Sequence, residues 1–198
     1  FFFSEDGLLW FSTAHGLTSF DGSDIVYQSS LEQSNNLGLN KISAMAEDSL
    51  HNLYLAGPLG LYYFDRKTKQ FFPIITGFPG NKQNAAISFP VLFIDSDGKL
   101  FAGSVFHGLF IYDPSNKQTT HYNTDPAKPA NWEDGRRNTV ISLAVHYTDS
   151  TKLWAGTGHG ICLFDKKEKR FSQNFEIISD IAHKYNPDFN DRQFIDVC

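Results

Sequence analysis

One motif recurs four times along the chain, and nothing else in the sequence restricts the fold as strongly, because self-similarity at a fixed period marks a repeat architecture. It runs leucine, aromatic, any residue, small, small, then after a short gap glycine, aliphatic, two residues, aromatic and aspartate. The first copy is Leu9-Trp10-Phe11-Ser12-Thr13 with Gly16-Leu17 and Phe20-Asp21. The second is Leu53-Tyr54-Leu55-Ala56-Gly57 with Gly60-Leu61 and Phe64-Asp65. The third is Leu100-Phe101-Ala102-Gly103-Ser104 with Gly108-Leu109 and Tyr112-Asp113, one residue longer before its glycine. The fourth is Leu153-Trp154-Ala155-Gly156-Thr157 with Gly160-Ile161 and Phe164-Asp165. The motif glycines stand 44, 48 and 52 residues apart.

Helix pairs and four-stranded sheets can both repeat at this length, so the residues inside each copy decide. The segments are short, rich in aromatic and β-branched side chains, and interrupted by Asp, Gly, Asn and Ser, which is the pattern of antiparallel meanders. No window sustains the i, i+3, i+4, i+7 apolar stripe of a helix. Each unit therefore reads as four strands. The first is apolar, as in Ile42 to Ala46, Val91 to Ile94 and Val140 to Tyr147, and ends in an Asp-rich turn such as Asp95-Ser96-Asp97-Gly98. The second carries the aromatic and the small pair, and the third runs from the glycine to the aromatic-Asp pair. The fourth follows, as in Gln70 to Ile74 and Arg170 to Phe175. Small residues in the second strand let neighbouring sheets approach near a common axis, while the aromatic beside them fills the space between sheets. This is an all-β chain of β-propeller blades. The blades span about 1–30, 40–75, 86–123 and 139–175, with 176–198 a linker and, at Gln193 to Val197, the start of a fifth. Asp21, Asp65, Asp113 and Asp165 open the turns between third and fourth strands, where an Asx side chain can bond its own backbone.

Charge and composition narrow the function. The 198 residues carry 22 acidic and 17 basic side chains, a formal charge of −5. That balance argues against nucleic acid, whose binding needs clustered Lys and Arg. No apolar run approaches the roughly 18 residues that cross a bilayer; Ala85 to Ile94 is short and holds Ser88 and Pro90. Cys162 and Cys198 have neither disulfide-framework nor metal-ligand spacing. The chain opens on Phe1-Phe2-Phe3 without a leader pattern and reads as a piece of something longer.

The repeat resembles that of the two-component regulator propeller family: aspartate, glycine, Leu-Trp, a small pair ending in Thr, Gly-Leu, and an aromatic-Asp pair. Leu9-Trp10 with Thr13 and Gly16-Leu17, and Leu153-Trp154 with Thr157 and Gly160, follow it closely. The middle copies depart, with Tyr54 and Phe101 in place of Trp, and Gly57 and Ser104 in place of Thr. The resemblance covers Phe1 to about Phe175. It implies a sector of a larger, seven-bladed propeller in the periplasmic half of a hybrid sensor. Such sensors continue into an immunoglobulin-like domain, a membrane helix, and kinase and regulator modules, work as homodimers, and respond to carbohydrate fragments. An incomplete ring leaves a blade face uncovered, to be covered by the rest of the propeller or by a second copy.

In a meander, the turns joining second to third strands share a rim with the connections between blades. On that rim fall His15, His107 and His159, each directly before a motif glycine, and the long connection Asn123 to Asn138. The histidines belong to different blades, too far apart for one metal ion with ligands about 2 Å from its centre. They read either as turn residues beside a left-handed glycine or as rim contacts to a polar ligand. The connection holds Trp132, Glu133, Asp134, Arg136 and Arg137; loops of this length are often functional. An aromatic platform beside paired guanidiniums suits a sugar ring bearing carboxylate or sulfate, although a solvated loop or one packed on a neighbouring domain fits equally. Gly156-Thr157-Gly158-His159-Gly160 lacks the spacing and the helix of a phosphate loop, and Asp95-Ser96-Asp97-Gly98 lacks the later ligands of a calcium loop. The aspartates follow the turn schedule of the repeat, which accounts for them without a catalytic pair, and no nucleophile elbow is present.

These readings lead to a non-enzymatic, ligand-sensing propeller segment without cofactor or metal, with an oligosaccharide as ligand. Two alternatives stay open. One is a propeller lyase or hydrolase, since similar blades occur in a lyase of cyclic peptide antibiotics; His107 or His159 would then pair with an acid. The other is a scaffold whose blade faces bind protein.

Overall fold

The computed structural model describes residues 1–29, 36–77, 86–125, 137–158 and 160–172. Its strands fall into four sheets, each hydrogen-bonded in chain order. Blade 1 comprises β1 (Phe2–Phe3), β2 (Leu9–Thr13), β3 (Gly16–Phe20) and β4 (Ile25–Tyr27). Blade 2 comprises β5 (Ala44–Glu47), β6 (Leu53–Gly57), β7 (Gly60–Asp65) and β8 (Gln70–Ile75). Blade 3 comprises β9 (Val91–Ile94), β10 (Leu100–Gly103), β11 (Leu109–Asp113) and β12 (Gln118–Tyr122). Blade 4 comprises β13 (Val140–Val145), β14 (Lys152–Thr157), β15 (Gly160–Asp165) and β16 (Arg170–Ser172). Every strand pair is antiparallel. The all-β propeller blades read from the repeat are therefore present; the fifth-blade segment Gln193 to Val197 lies outside the described residues.

Three details differ from the sequence reading. The first strand of blade 2 begins at Ala44 because the preceding Leu39–Lys41 forms a 3₁₀ turn entered through Gly38 in the left-handed region (φ 66°). That of blade 4 stops at Val145, where His146 N–H turns back to the Lys152 carbonyl (3.0 Å) and leaves Tyr147 exposed. In blade 3 the extra residue of the motif is absorbed before the strand: Phe106 takes φ 72° and β11 starts at Leu109.

The blades pack face to face through three apolar cores, each drawn from two consecutive blades. Trp10 and Leu17 of blade 1 meet Leu53, Leu55 and Phe64 of blade 2. Tyr54, Ala56 and Leu61 of blade 2 meet Leu100, Ala102 and Phe110 of blade 3. Phe101 and Leu109 of blade 3 meet Leu153, Ala155 and Phe164 of blade 4. Alternation along each strand makes this possible, since residues i and i+2 share a face and i+1 takes the other. The motif aromatic thus points to the following blade and its flanking leucine to the preceding one. β9 packs on both β5 and β13, so the first strands lie nearest one another, and β10 also touches β13. Small residues are required there: a Cβ on Gly103 would lie 2.6 Å from the Val140 carbonyl oxygen.

The four recurring aspartates close their turns as expected. Asp21 Oδ1 accepts from the N–H groups of Ser23 and Asp24 (both 2.8 Å), and Asp65 Oδ1 from Lys67 and Thr68 (both 2.9 Å). Asp113 Oδ1 accepts from Ser115 N–H (3.0 Å), and Asp165 Oδ1 from Lys167 and Glu168 (both 2.9 Å). Hydrogen bonds to the ionised form hold all four carboxyls below the usual aspartate range, led by the backbone donors at Asp21, Asp65 and Asp165 and by the Ser115 hydroxyl at Asp113. A group with a depressed folded pKa stabilises the fold above its unfolded pKa and loses that contribution as pH falls through the folded value. Stability should therefore be flat near neutrality and fall in steps below about pH 4. Replacing all four by asparagine, which keeps an Asx acceptor, should flatten that fall in an acid titration followed by near-UV circular dichroism.

Candidate functional site

The turns between second and third strands and the connections between blades lie on one rim, tied by recurring hydrogen bonds. Phe89 N–H donates to the Gly57 carbonyl (3.1 Å) and Val140 N–H to the Ser104 carbonyl (2.9 Å), each from the entry of one blade to the preceding one. Ile42 N–H donates to Ser12 Oγ (3.3 Å) at the first junction. The motif glycines turn this rim: Gly16, Gly60, Gly108 and Gly160 all have positive φ, a conformation that costs other residues a Cβ clash.

Of the six rim residues picked from sequence, His15, His107 and Arg137 are among the described residues, whereas Trp132, Arg136 and His159 are not. His15 sits on the blade 1 turn, its backbone N–H bonded to Thr13 Oγ1 (3.1 Å) and its ring 5.2 Å from that of Tyr27. Blade 2 separates it from His107 on blade 3. His107 is half-buried, and burial pushes its pKa below the usual histidine value. Its carbonyl accepts a short hydrogen bond from His121 Nε2, so that nitrogen carries the proton. Burial lowers His121 as well, which keeps both imidazoles neutral at pH 7.

The structure joins His107 to the stem of the long connection. Gly108 N–H, the next residue, donates to the Asn138 carbonyl (2.6 Å), and Phe106 N–H to Thr139 Oγ1 (3.1 Å). Buried Asn138 then clamps the two ends of the connection: its Oδ1 accepts from Thr124 N–H (2.9 Å) and its Nδ2 donates to Asn123 Oδ1 (2.9 Å). Thr124 Oγ1 donates to the Arg137 carbonyl (3.1 Å), and the Arg137 side chain stands exposed. The two described ends of the connection, Asn123 to Asp125 and Arg137 to Thr139, are thus tied together next to the His107 turn. This clamp escaped the sequence reading, though an Asn at each end of a long connection is its signal. Among the described residues no group of three His, Cys, Asp or Glu is placed to hold a metal ion.

The opposite rim carries a second device, one that pattern reading missed entirely. Arg66, which follows the aromatic-Asp pair of blade 2, reaches back over the Trp10 ring of blade 1 (5.0 Å) and pairs with Asp6 (2.5 Å). This pairing, with the Ser4 hydroxyl, holds the Asp6 carboxyl down at about 2. Lys166, at the same position of blade 4, reaches over the Phe101 ring of blade 3 (6.0 Å) and pairs with Asp95 (2.6 Å). At the middle junction the position is Pro114, and a ring contact between Tyr54 and Tyr112 (6.3 Å) stands instead. A cleft of about 520 Å³ opens beside Lys166, walled by Asp95, Asp97, Lys169, Gln118 and Tyr122. Both members of the Lys166–Asp95 pair are 14% exposed, so removing one strands the other. Lys166→Met should cost about 1–3 kcal/mol in chemical denaturation. A double-mutant cycle with Asp95→Asn should return a coupling of about 0.5–2 kcal/mol.

No protein-family model matches the chain, and no curated protein sequence matches it. Solved structures do. The extracellular domain assigned to the hybrid two-component system BT3049 of B. thetaiotaomicron aligns at 21% identity and TM-score 0.65, over 87% of this chain and 24% of that one. The corresponding domain of BT4673 from the same organism aligns at 20% identity and TM-score 0.63, over 84% of this chain and 20% of that one. The dihydro-heme d1 dehydrogenase NirN aligns at 15% identity and TM-score 0.58, over 86% of this chain and 35% of that one. The chain spans a quarter or less of the two sensor domains it matches. These likenesses establish the propeller fold, and the first two belong to the class of protein whose repeat the sequence resembles.

Proposed function

We propose that this chain is part of the extracytoplasmic propeller of a hybrid two-component sensor, where it takes part in recognising a carbohydrate fragment or in passing that recognition to a membrane-linked kinase. The observation that carries the reading is the coincidence of two independent likenesses: the four-copy motif resembles the regulator propeller repeat, and the fold matches extracellular domains of hybrid two-component systems along 87% and 84% of the chain. The periplasm and a homodimeric parent follow from the same class of protein. The ligand would meet the rim around His107, with Arg137 and the Trp132 and Arg136 of the connection supplying charge and a stacking surface. Signalling then needs differential affinity, since a ligand shifts an equilibrium only as far as it prefers one arrangement of the propeller and its neighbours.

A dehydrogenase shares the fold, so fold alone does not separate sensor from enzyme. The test is calorimetric titration of the protein with a panel of oligosaccharides, with the products of each mixture followed by chromatography. Saturable binding of an intact glycan, weakened by Arg137→Ala, is the expected outcome. Conversion of the glycan would replace the sensor reading by an enzymatic one, and absence of binding across anionic and neutral glycans would reject the carbohydrate ligand.

A further inference from the structure

The cleft beside Lys166 recurs in reduced form at the first junction, and the difference between the two copies shows what the larger one lacks. Counted from the motif glycine and along the strand pairs, Ile111, Tyr122 and Lys169 of the cleft between blades 3 and 4 stand where Ser19, Gln28 and Lys69 stand between blades 1 and 2. At the first junction those three form a polar tie. Lys69 Nζ donates to Gln28 Oε1 (2.9 Å), and Gln28 Nε2 donates to Ser19 Oγ (2.8 Å). The tie crosses from blade 2 to blade 1 and leaves a cleft of about 210 Å³. Between blades 3 and 4 the isoleucine offers no polar atom and no bond joins Tyr122 to Lys169. There the cleft opens to about 520 Å³ over Phe101, Ile111 and Tyr122.

We infer that this cleft binds an acidic saccharide, a sugar ring bearing carboxylate or sulfate, which bridges blades 3 and 4 where the polar tie is missing. The saccharide part rests on the carbohydrate reading above; the anionic part rests on the cleft itself. Four lysines and three aspartates line it. Lys166 pairs with Asp95 and Lys99 with Asp97, while Asp113 accepts from Ser115 within its own turn. That leaves the ammonium groups of Lys167 and Lys169, on blade 4, without a hydrogen bond or ion pair to any described residue. On the blade 3 side, the Gln118 amide and the Thr120 hydroxyl likewise bond to no described residue. An ammonium makes charge-assisted hydrogen bonds to a carboxylate or sulfate oxygen, and amide and hydroxyl groups match sugar hydroxyls as donors and acceptors. Phe101 and Tyr122 supply the apolar floor that a ligand ring covers, with the few polar groups fixing its orientation. The cleft between blades 2 and 3 is nearly as large, about 510 Å³, but four aspartates and the single Lys99 line it, so it repels an anion. Charge therefore directs an acidic ligand to the junction of blades 3 and 4.

Calorimetric titration of the whole chain with digalacturonate, a sulfated disaccharide, neutral galactobiose and inorganic sulfate tests this. An acidic disaccharide should bind saturably, about tenfold or more tighter than galactobiose or sulfate alone, and more weakly as salt is raised. Lys169→Asn removes the charge yet suits the left-handed turn (φ 54°), and should weaken that binding about tenfold. Gln118→Ala, on the other side of the cleft, should weaken it several-fold, and Lys69→Asn at the first junction should leave it unchanged. Equal affinity for galactobiose, or for sulfate alone, would overturn the inference. A loss in Lys169→Asn without one in Gln118→Ala would overturn the bridge between blades. Acidic binding that survives Lys169→Asn and is abolished by Arg137→Ala would move the ligand to the opposite rim, overturning the cleft while the carbohydrate reading stands. Binding of neutral glycans only would do the same, and failure of every saccharide to bind would reject both.

Discussion

Trp10→Ala should be the most damaging single truncation in the first blade pair, costing about 3–5 kcal/mol, the range for removing a buried aromatic and leaving its cavity. Trp10 is 1% exposed and touches both sides of the junction: its ring lies 6.0 Å from Phe64 edge to face, and Arg66 stacks over it. Its Nε1–H donates to Ser4 Oγ (3.2 Å), which also holds the Asp6 turn. Truncation thus removes apolar contact, a cation–π partner and a hydrogen bond at once. Because each core among the described residues joins two consecutive blades, the loss should appear as local detachment rather than as uniform weakening. In hydrogen exchange, amides of β1 to β4 should lose protection while those of β10, β11 and β15 keep it. Trp10→Phe, which the third copy of the motif carries naturally as Phe101, should retain most of the stability. A uniform loss across all four blades would show that the junctions are coupled more tightly than nearest-neighbour packing allows.

How far the sequence reveals this molecule follows from the range of each interaction. The strand pattern, the four Asx turns and the glycine rim depend on residues within a few positions of one another, and the repeat prints each of them four times. The Arg66–Asp6 and Lys166–Asp95 latches join residues 60 and 71 positions apart. They occur at alternate junctions only, so neither local pattern nor repetition announces them. The Asn138 clamp is similar, since its partners Asn123 and Thr124 sit across the long connection. Of the candidate site, the sequence correctly brought His107 and the connection to one rim, because strand alternation dictates it. His15 shares that rim on the blade 1 turn, a different blade from His107, as the repeat implies. The contributions of Trp132, Arg136 and His159 rest on sequence alone.

A matched pair of glycine substitutions separates backbone strain from space. Gly98 (φ 79°) and Gly60 (φ 135°) both sit at turns in conformations that favour glycine. At Gly98 an added Cβ meets nothing within 4 Å, so Gly98→Ala carries only the left-handed penalty, about 1 kcal/mol. At Gly60 the same Cβ would lie 2.4 Å from the Ile75 carbonyl oxygen and 3.1 Å from Thr76 Cα, both backbone atoms that no rotamer change can move. There the strain of a glycine-only region adds to displacement of β8 from β7, and the combined cost should reach about 3 kcal/mol or more. The shift would propagate to the rim, because Leu61 and Ile75, which are paired across β7 and β8, both belong to the core between blades 2 and 3. Gly60→Ala should therefore expose Phe89 and Leu61 to footprinting as well as lower the denaturation midpoint, whereas Gly98→Ala should move the midpoint slightly and leave every core residue protected. Equal costs at the two positions would mean that the motif glycine is retained for its φ alone, and that the close approach of neighbouring strands at the rim does not limit which residue the turn accepts.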